Sequence, residues 1–247
     1  MSNLSQTDDL FFNRSGMDLS KIETLNEEAL VGADDGELYL EYCQSEAIVF
    51  DDGQLKNASF NTSQGFGLRA VSGEVTGYSH ASELSEEAIK RASQTVKTVH
   101  SGNGGTMDLS PPGTNTKLYT EENPLNLVEF ETKVKLLAEI DAYARSRDER
   151  VAQVSASISG SWQAIQVLRL DKARTADIRP LVRLNVTIMV AQGDRLETGS
   201  YGTGGRVTYD EYLKPETWKK ATDEALRLAL VNLKSVPTPA GEMEVVL

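Results

Sequence analysis

Residues 64–80, QGFGLRAVSGEVTGYSH, read as one tight hairpin. Leu68 and Ala70 alternate with Arg69 and Val71 as in a half-buried strand, Ser72-Gly73 supplies the turn, and Val75, Gly77 and the apolar body of Tyr78 lie along the return strand. Gly65 and Gly67 open the hairpin, where a side chain would crowd a neighbouring backbone or where φ must be positive. About 120 residues further on the plan returns, with Leu181 to Ala191, a Gly193-Asp194 turn, and Arg195 to Tyr201. A strand hairpin followed by a helix occurs twice. The expected fold is therefore α+β: two repeated antiparallel β-meander plus helix units, with the helices packed on one continuous sheet or on two.

Upstream, Asp18 to Val31 has helical spacing, with Leu19, Ile22, Leu25 and Ala29 on one side. The period then changes to two: Leu38, Leu40 and Tyr42 face one way, Glu37, Tyr39 and Glu41 the other. Glu46 to Phe50 and Gln54 to Asn61 flank Asp51-Asp52-Gly53, so a meander of four or five strands is expected between Glu37 and His80. Downstream, Ser85 caps a helix with Glu86 and Glu87 in its first turn and an apolar stripe of Ala88, Ile89, Ala92, Val96 and Val99. The run 101–116, SGNGGTMDLSPPGTNT, lacks any period and reads as a loop.

Asn123-Pro124 start the next helix, with Leu127, Phe130, Val134, Leu137, Ala138 and Asp141 at helical steps and an end among Arg145, Arg147 and Arg150. In the second meander Val154, Ala156 and Ile158 form a strand, Gly160-Ser161 turns, Ile165 and Val167 follow, and Asp171-Lys172 turns again. Pro180 to Val190 is the clearest strand, alternating five aliphatics with Arg183, Asn185, Thr187 and Met189. An irregular stretch, Gly199 to Gly205, precedes a helix from Pro215 to about Leu233 carrying Trp218, Ala221, Ala225, Leu226, Ala229, Leu230 and Leu233 on one face. The closing MEVVL, 243–247, has the look of another strand. The organisation expected is one domain over 1–247, with internal repeats at about 37–100 and 150–234 joined by the loop 101–117 and a helix at about 124–147.

Acids outnumber bases by 37 to 25, and a formal charge of −12 repels phosphate backbones and anionic lipid heads, so neither nucleic acid nor membrane is an expected partner. The single cysteine, Cys43, has no internal partner for a disulfide and fits a reducing, cytoplasmic compartment. The first residues, MSNLSQTDDLFFNRSG, show no signal-peptide pattern, and no run approaches the roughly 18 apolar residues of a membrane span.

Catalytic signatures are few. His80 and His100 belong to no HExxH or Cys/His cluster and read as surface or capping residues; a hydrolase using Ser and His would require one of them, yet no serine sits in a G-x-S-x-G elbow. Gly65 to Ala70 fits the loose G-x-G-x-x-G/A pattern, but it enters a hairpin where a phosphate cradle needs a helix N-terminus. Gly202 to Gly205 lacks the Lys-Ser/Thr of a P-loop, and the acid pairs at 8–9, 34–35, 51–52 and 121–122 sit at turns or helix starts without EF-hand spacing. Arg69, Arg183 and Arg206 lie on or beside glycine-rich strands, where they serve either structural ion pairs or contacts to a peptide carboxylate or a partner. The stretch Gly199 to Arg206, which includes Tyr201, can present an open strand edge to an extended peptide. Arg69, Tyr201 and Arg206 are thus the expected substrate- or partner-contact residues, and no catalytic or metal-ligating residue is assigned.

Six ordered segments resemble the amino-terminal half of the TldD/PmbA family, its TldD branch in particular: QGFGLRAVSGEVTGYSH at 64–80, LYT then NPL within 118–125, VSASISG at 154–160, DIRPLVRL at 177–184, GGR at 204–206, and ALVNL then PAG within 229–241. The resemblance implies a cytoplasmic zinc metallopeptidase that works as a heterodimer with a TldE/PmbA-like subunit on unfolded or extended peptides. In that family the zinc motif, HExxxH, follows the proline-alanine-glycine segment, whereas this chain ends at Val245-Val246-Leu247. The carboxy-terminal metallopeptidase domain is therefore expected to be absent, and with it zinc binding and cleavage by this chain alone; a homo-oligomer of the fragment is a further expectation. The competing reading is a self-contained, non-enzymatic protein-binding or assembly module.

Overall fold

Two-residue turns set the strand order. The computed structural model describes residues 2–97, 118–237 and 240–246. Strand β1 (Asp35–Asp51) joins β2 (Gln54–Ser72) through Asp52-Gly53, and β2 joins β3 (Val75–Ala81) through Gly73-Glu74. Asp52 and Gly53 both have positive φ, as a type I′ turn requires, and that turn's twist matches the strands it connects. In the second meander β4 (Val151–Arg169) leads to β5 (Arg174–Gln192), and Gly193-Asp194 leads on to β6 (Arg195–Gly205).

Both meanders share one six-stranded antiparallel sheet of order β3-β2-β1-β4-β5-β6. The first strand of each repeat meets its counterpart, with Ser45 of β1 opposite Ser161 of β4. Antiparallel pairing of equivalent strands relates the two halves by an approximate two-fold axis normal to the sheet. Helices flank each meander: α2 (Leu19–Leu30) and α3 (Glu86–Val96) on the first, α4 (Phe130–Arg147) and α6 (Pro215–Leu233) on the second. A short α1 (Asn3–Asp8), continued by a π-helical turn Asp9–Asn13, and a four-residue α5 (Asp210–Leu213) complete the set.

The helices cover one face of the sheet. Leu38 and Leu40 of β1 pack with Phe66, Leu68, Ile22, Leu30 and Ile89, while Ile48 and Phe50 of the same strand pack with Ile158, Leu184, Leu137, Ala225 and Ala229. These strand residues share the even-numbered face, so β1 spans both halves of the core. Asp18 caps α2 by accepting from the Ser20 and Lys21 amides, and Ser85 caps α3 by accepting from Ala88.

Several expectations from the sequence are corrected. The first meander has three long strands, not four or five, because Cys43-Gln44-Ser45 contains no breaker and β1 runs through it, as β2 runs through Thr62-Ser63. Gly65 and Gly67 accordingly lie inside β2. Gly160-Ser161 is no turn: β4 continues across it, and Gly160 is required because a Cβ there would collide with the Tyr209 hydroxyl. Gly199 to Gly205 is regular strand β6, and a Cβ on Gly199 would strike the backbone of α6 at Ala225 and Ala229. The helix from Asn123 divides into a 3-10 turn, Pro124–Asn126, and α4. Lys133 turns inward to Glu46, so α4 buries Lys133, Leu136, Leu137, Ile140, Asp141 and Ala144 and leaves Leu127 and Phe130 exposed. Residues 243–246 form no strand. Phe11 and Phe12, unassigned from the sequence, are buried in the same cluster as Ile22 and Leu30 of α2 and Leu38 and Leu40 of β1. Val99, His100 and the 101–116 loop lie outside the described residues.

Candidate functional site

The face turned away from the helices carries the odd-numbered residues of β1 and, from Gln153 onward, of β4. Most lie half-buried among cross-strand neighbours, and the buried clusters that hold the helices do not draw on them.

Three polar groupings occupy this face. At one end Arg69 bridges Asp35 (2.8 Å) and Glu37 (3.1 Å), and Arg169 approaches Asp35 at 3.5 Å. The Glu37 bond, with both carboxylates' charge, raises the Arg69 pKa further above its usual value. In the middle the Tyr39 hydroxyl (2.6 Å) and the Gln163 amide (2.7 Å) both donate to Glu41. Burial, then the bond to Glu41, pushes the Tyr39 phenol up, and burial with the Glu41 charge does the same to the Cys43 thiol. Toward the β5 edge Asp177 accepts from Arg179 (2.6 Å) and Tyr119 (2.7 Å). Burial pushes the Asp177 carboxyl up, but these two bonds outweigh it and hold it below the usual range. With the phenol and the thiol protonated at neutral pH, the face offers hydrogen bonds, not an activated nucleophile.

Between these groupings the side chains are small. Ser155, Ser157, Ser159 and Ser161 alternate along β4, opposite Thr187, Asn185, Arg183 and Leu181 of β5. A recess of about 320 Å³ opens here, bounded by β1, β2, β4 and β5, with Arg183 at its rim.

The three expected contact residues are not brought together. Arg69 is engaged by two carboxylates at the β1–β2 end. Tyr201 pairs with Val186 on the helix-covered face, where it packs on the core and lines a groove of about 980 Å³ with Tyr143, Arg147 and Asp223. Arg206 is exposed just beyond β6, its guanidinium 5.1 Å from the Tyr119 ring. His80 is exposed and stacks on Tyr78 (5.5 Å between ring centroids). Among the described residues no three His, Cys, Asp or Glu side chains are grouped to hold a metal ion. No described helix is long and apolar enough to cross a membrane.

Sequence reasoning missed Lys133, Glu46 and Tyr209, which meet on the covered face, and the Tyr39–Glu41–Gln163 grouping on the open one. Alternation already assigned Glu41 and Arg183 to the polar side of their strands; that Gln163 meets Glu41 depends on a register between segments more than a hundred residues apart.

Comparisons with known proteins agree with this architecture. Residues 36–98 match the PmbA/TldA metallopeptidase domain 1, and residues 123–233 match the PmbA/TldA metallopeptidase central domain. The metalloprotease TldD homolog of Haemophilus influenzae is 37% identical over 225 residues, covering 87% of this chain and 46% of that protein; the homolog from Buchnera aphidicola subsp. Schizaphis graminum is 33% identical with the same coverage. TldE from Thermococcus kodakarensis has the same fold, with a TM-score of 0.69 at 15% identity over 89% of this chain and 49% of that one. The chain thus spans about half the length of the relatives it matches. Two profiles of one family, matched in order and together covering more than half of the residues, place the chain in the PmbA/TldD metallopeptidase family.

Proposed function

We propose that this chain is the amino-terminal scaffold and the substrate- and partner-binding portion of a TldD-like zinc metallopeptidase that processes unfolded peptides together with a TldE-like subunit. The observation that carries this reading is the ordered match to the first and central family domains over 36–98 and 123–233. The open sheet face supports it, since serine, threonine and asparagine side chains beside paired strands suit a ligand recognised mainly through its backbone. Zinc would supply activation of water for amide hydrolysis, and neither metal binding nor catalysis is assigned to any of the residues described. The outer edge of β6, which pairs with no other described strand and runs through Gly199 to Gly205 with Arg206 just beyond it, is the place where an extended segment would add to the sheet.

Two measurements test the proposal. Repurified chain should hold well under one equivalent of zinc by elemental analysis and should leave an unfolded peptide uncut. Joined to the carboxy-terminal half of the Haemophilus influenzae homolog and mixed with a TldE-like subunit, it should support cleavage. Stoichiometric, tightly held zinc in the chain alone, or cleavage by it alone, would overturn the reading; an inactive chimera that still pairs with the subunit would favour an assembly module.

A further inference from the structure

The chain has thirteen arginines, all of them described. Eleven form ion pairs with aspartate or glutamate, and a twelfth, Arg206, lies over the Tyr119 ring. Among the described residues Arg183 has neither partner. In a chain with 37 acids and 25 bases, an arginine left without an acid runs against the electrostatics of the whole surface.

Its position is defined. The Arg183 Nε donates to Asn185 Oδ1 at 2.9 Å, which leaves both terminal nitrogens of the fork unengaged among the described residues. Gly202 of β6 makes room for it, since a Cβ there would come within 3.1 Å of Nη2 and 2.7 Å of Asn185 Oδ1. Arg183 pairs with Ser159, and the adjacent register row sets Asn61, Ser45 and Ser161 side by side across β2, β1 and β4. With Ser59, these residues bound the recess of about 320 Å³. No hydrogen bond joins the Ser45, Ser59, Ser159 or Ser161 hydroxyls or the Asn61 amide to another described residue. One uncompensated cation stands beside five uncommitted hydrogen-bonding side chains.

We propose that this recess is a carboxylate-binding subsite for an extended peptide, in which Arg183 takes the carboxylate through its two terminal nitrogens and the serines and Asn61 serve the peptide's amides. A planar fork already oriented by Asn185 matches a carboxylate bidentately, and such charge-assisted pairs exceed neutral ones in strength. The inference rests on the peptide-handling function proposed above and names the feature by which a peptide would be anchored.

The test uses fluorescein-labelled alanine–serine peptides in three forms: a free carboxy terminus, an amidated terminus, and an amidated terminus with one internal glutamate. Fluorescence anisotropy should show the free acid bound roughly tenfold more tightly than the amide. Restoration of affinity by the internal glutamate would show that a side-chain carboxylate serves as well; no restoration would restrict the site to the chain terminus, and either result supports the subsite. In Arg183→Gln, with an unchanged unfolding midpoint, the preference should fall below about twofold, and in Arg91→Gln, at an exposed arginine of α3 paired with Glu83, it should persist. Equal affinity for acid and amide, a preference that survives Arg183→Gln, or no binding of any peptide at millimolar concentration would overturn the inference. The chimera described above separates the two proposals. If only the scaffold reading fails, the chimera is inactive while the carboxylate preference stands; if only the subsite fails, it cleaves free and amidated peptides equally well.

Discussion

Lys133 of α4 and Glu46 of β1 form an ion pair on the covered face of the sheet, with Lys133 only 1% exposed. The ammonium also donates to the Leu125 carbonyl at 3.3 Å and lies 4.4 Å from the Tyr209 ring centroid. A charge buried this deeply is tolerable only with its counter-ion, so the pair fixes how α4 is rotated on the sheet.

Removing one partner should be far worse than removing both. Lys133→Ala is expected to destabilise the chain by about 3–5 kcal/mol in urea unfolding because it strands the Glu46 carboxylate. Lys133→Met with Glu46→Leu should recover most of that loss. A double-mutant cycle with additive effects would contradict the coupling drawn here.

Gly160→Ala should cost about 1–3 kcal/mol, since the new methyl group meets the Tyr209 hydroxyl and ring and a Leu125 methyl while Tyr209, fully buried, cannot swing away. Tyr209→Phe in the Gly160→Ala background should restore part of the loss by deleting the nearest clashing atom. If Gly160→Ala proves as stable as the parent, Gly160 is not the close-approach position described.

At Gly199 the obstacle is main chain. A Cβ would overlap the Ala225 carbonyl and the Ala229 amide of α6, and backbone cannot yield as a side-chain tip does. Gly199→Ala is expected to cost about 3 kcal/mol or more, with a loss of near-ultraviolet dichroism from Trp218, which α6 buries. An unaltered Trp218 signal would argue against direct packing of the helix on β6.

Acid should expose a contribution from the end of α4. Bonds from the Arg150 guanidinium, with its amide, hold the Asp148 carboxyl down at about 2 against an ordinary value of 3.8. A lowered native pKa means the stabilisation is complete above about pH 4 and is lost as the pH falls toward 2. Asp148→Asn should therefore be less stable than the parent at pH 5 and should converge with it as the pH approaches 2; parallel stability curves would remove this assignment.

The repeat, the strand-and-helix composition and the caps at Ser85 and Asn123 were legible because each depends on residues close in the chain. Alternation in Pro180 to Val190 commits five aliphatics to one face, and Ser85 lies three residues from the amide it caps. The covered core of the second half follows directly, as does the placement of Arg183 on the polar side.

Glycine was the point of failure. At Gly65 the expected close approach of a neighbouring backbone is met by the Ala81 carbonyl, but Gly160 and Gly199, read as turn and irregular positions, lie inside strands where a distant group needs the space: the Tyr209 hydroxyl and the α6 backbone. Nothing near Gly160 in the chain announces Tyr209.

The sequence by itself thus determined the α+β composition, the helices at 19–30, 86–96 and 215–233, the covered face of Pro180 to Val190 and the family, because those rest on period, composition and short motifs. Tertiary structure alone decided that the two meanders form one sheet, that Lys133 finds Glu46, and that Arg183 is the arginine without an acid or a ring among the described residues. Those outcomes depend on β1 meeting β4 in one register, a choice made by packing across more than a hundred residues of chain.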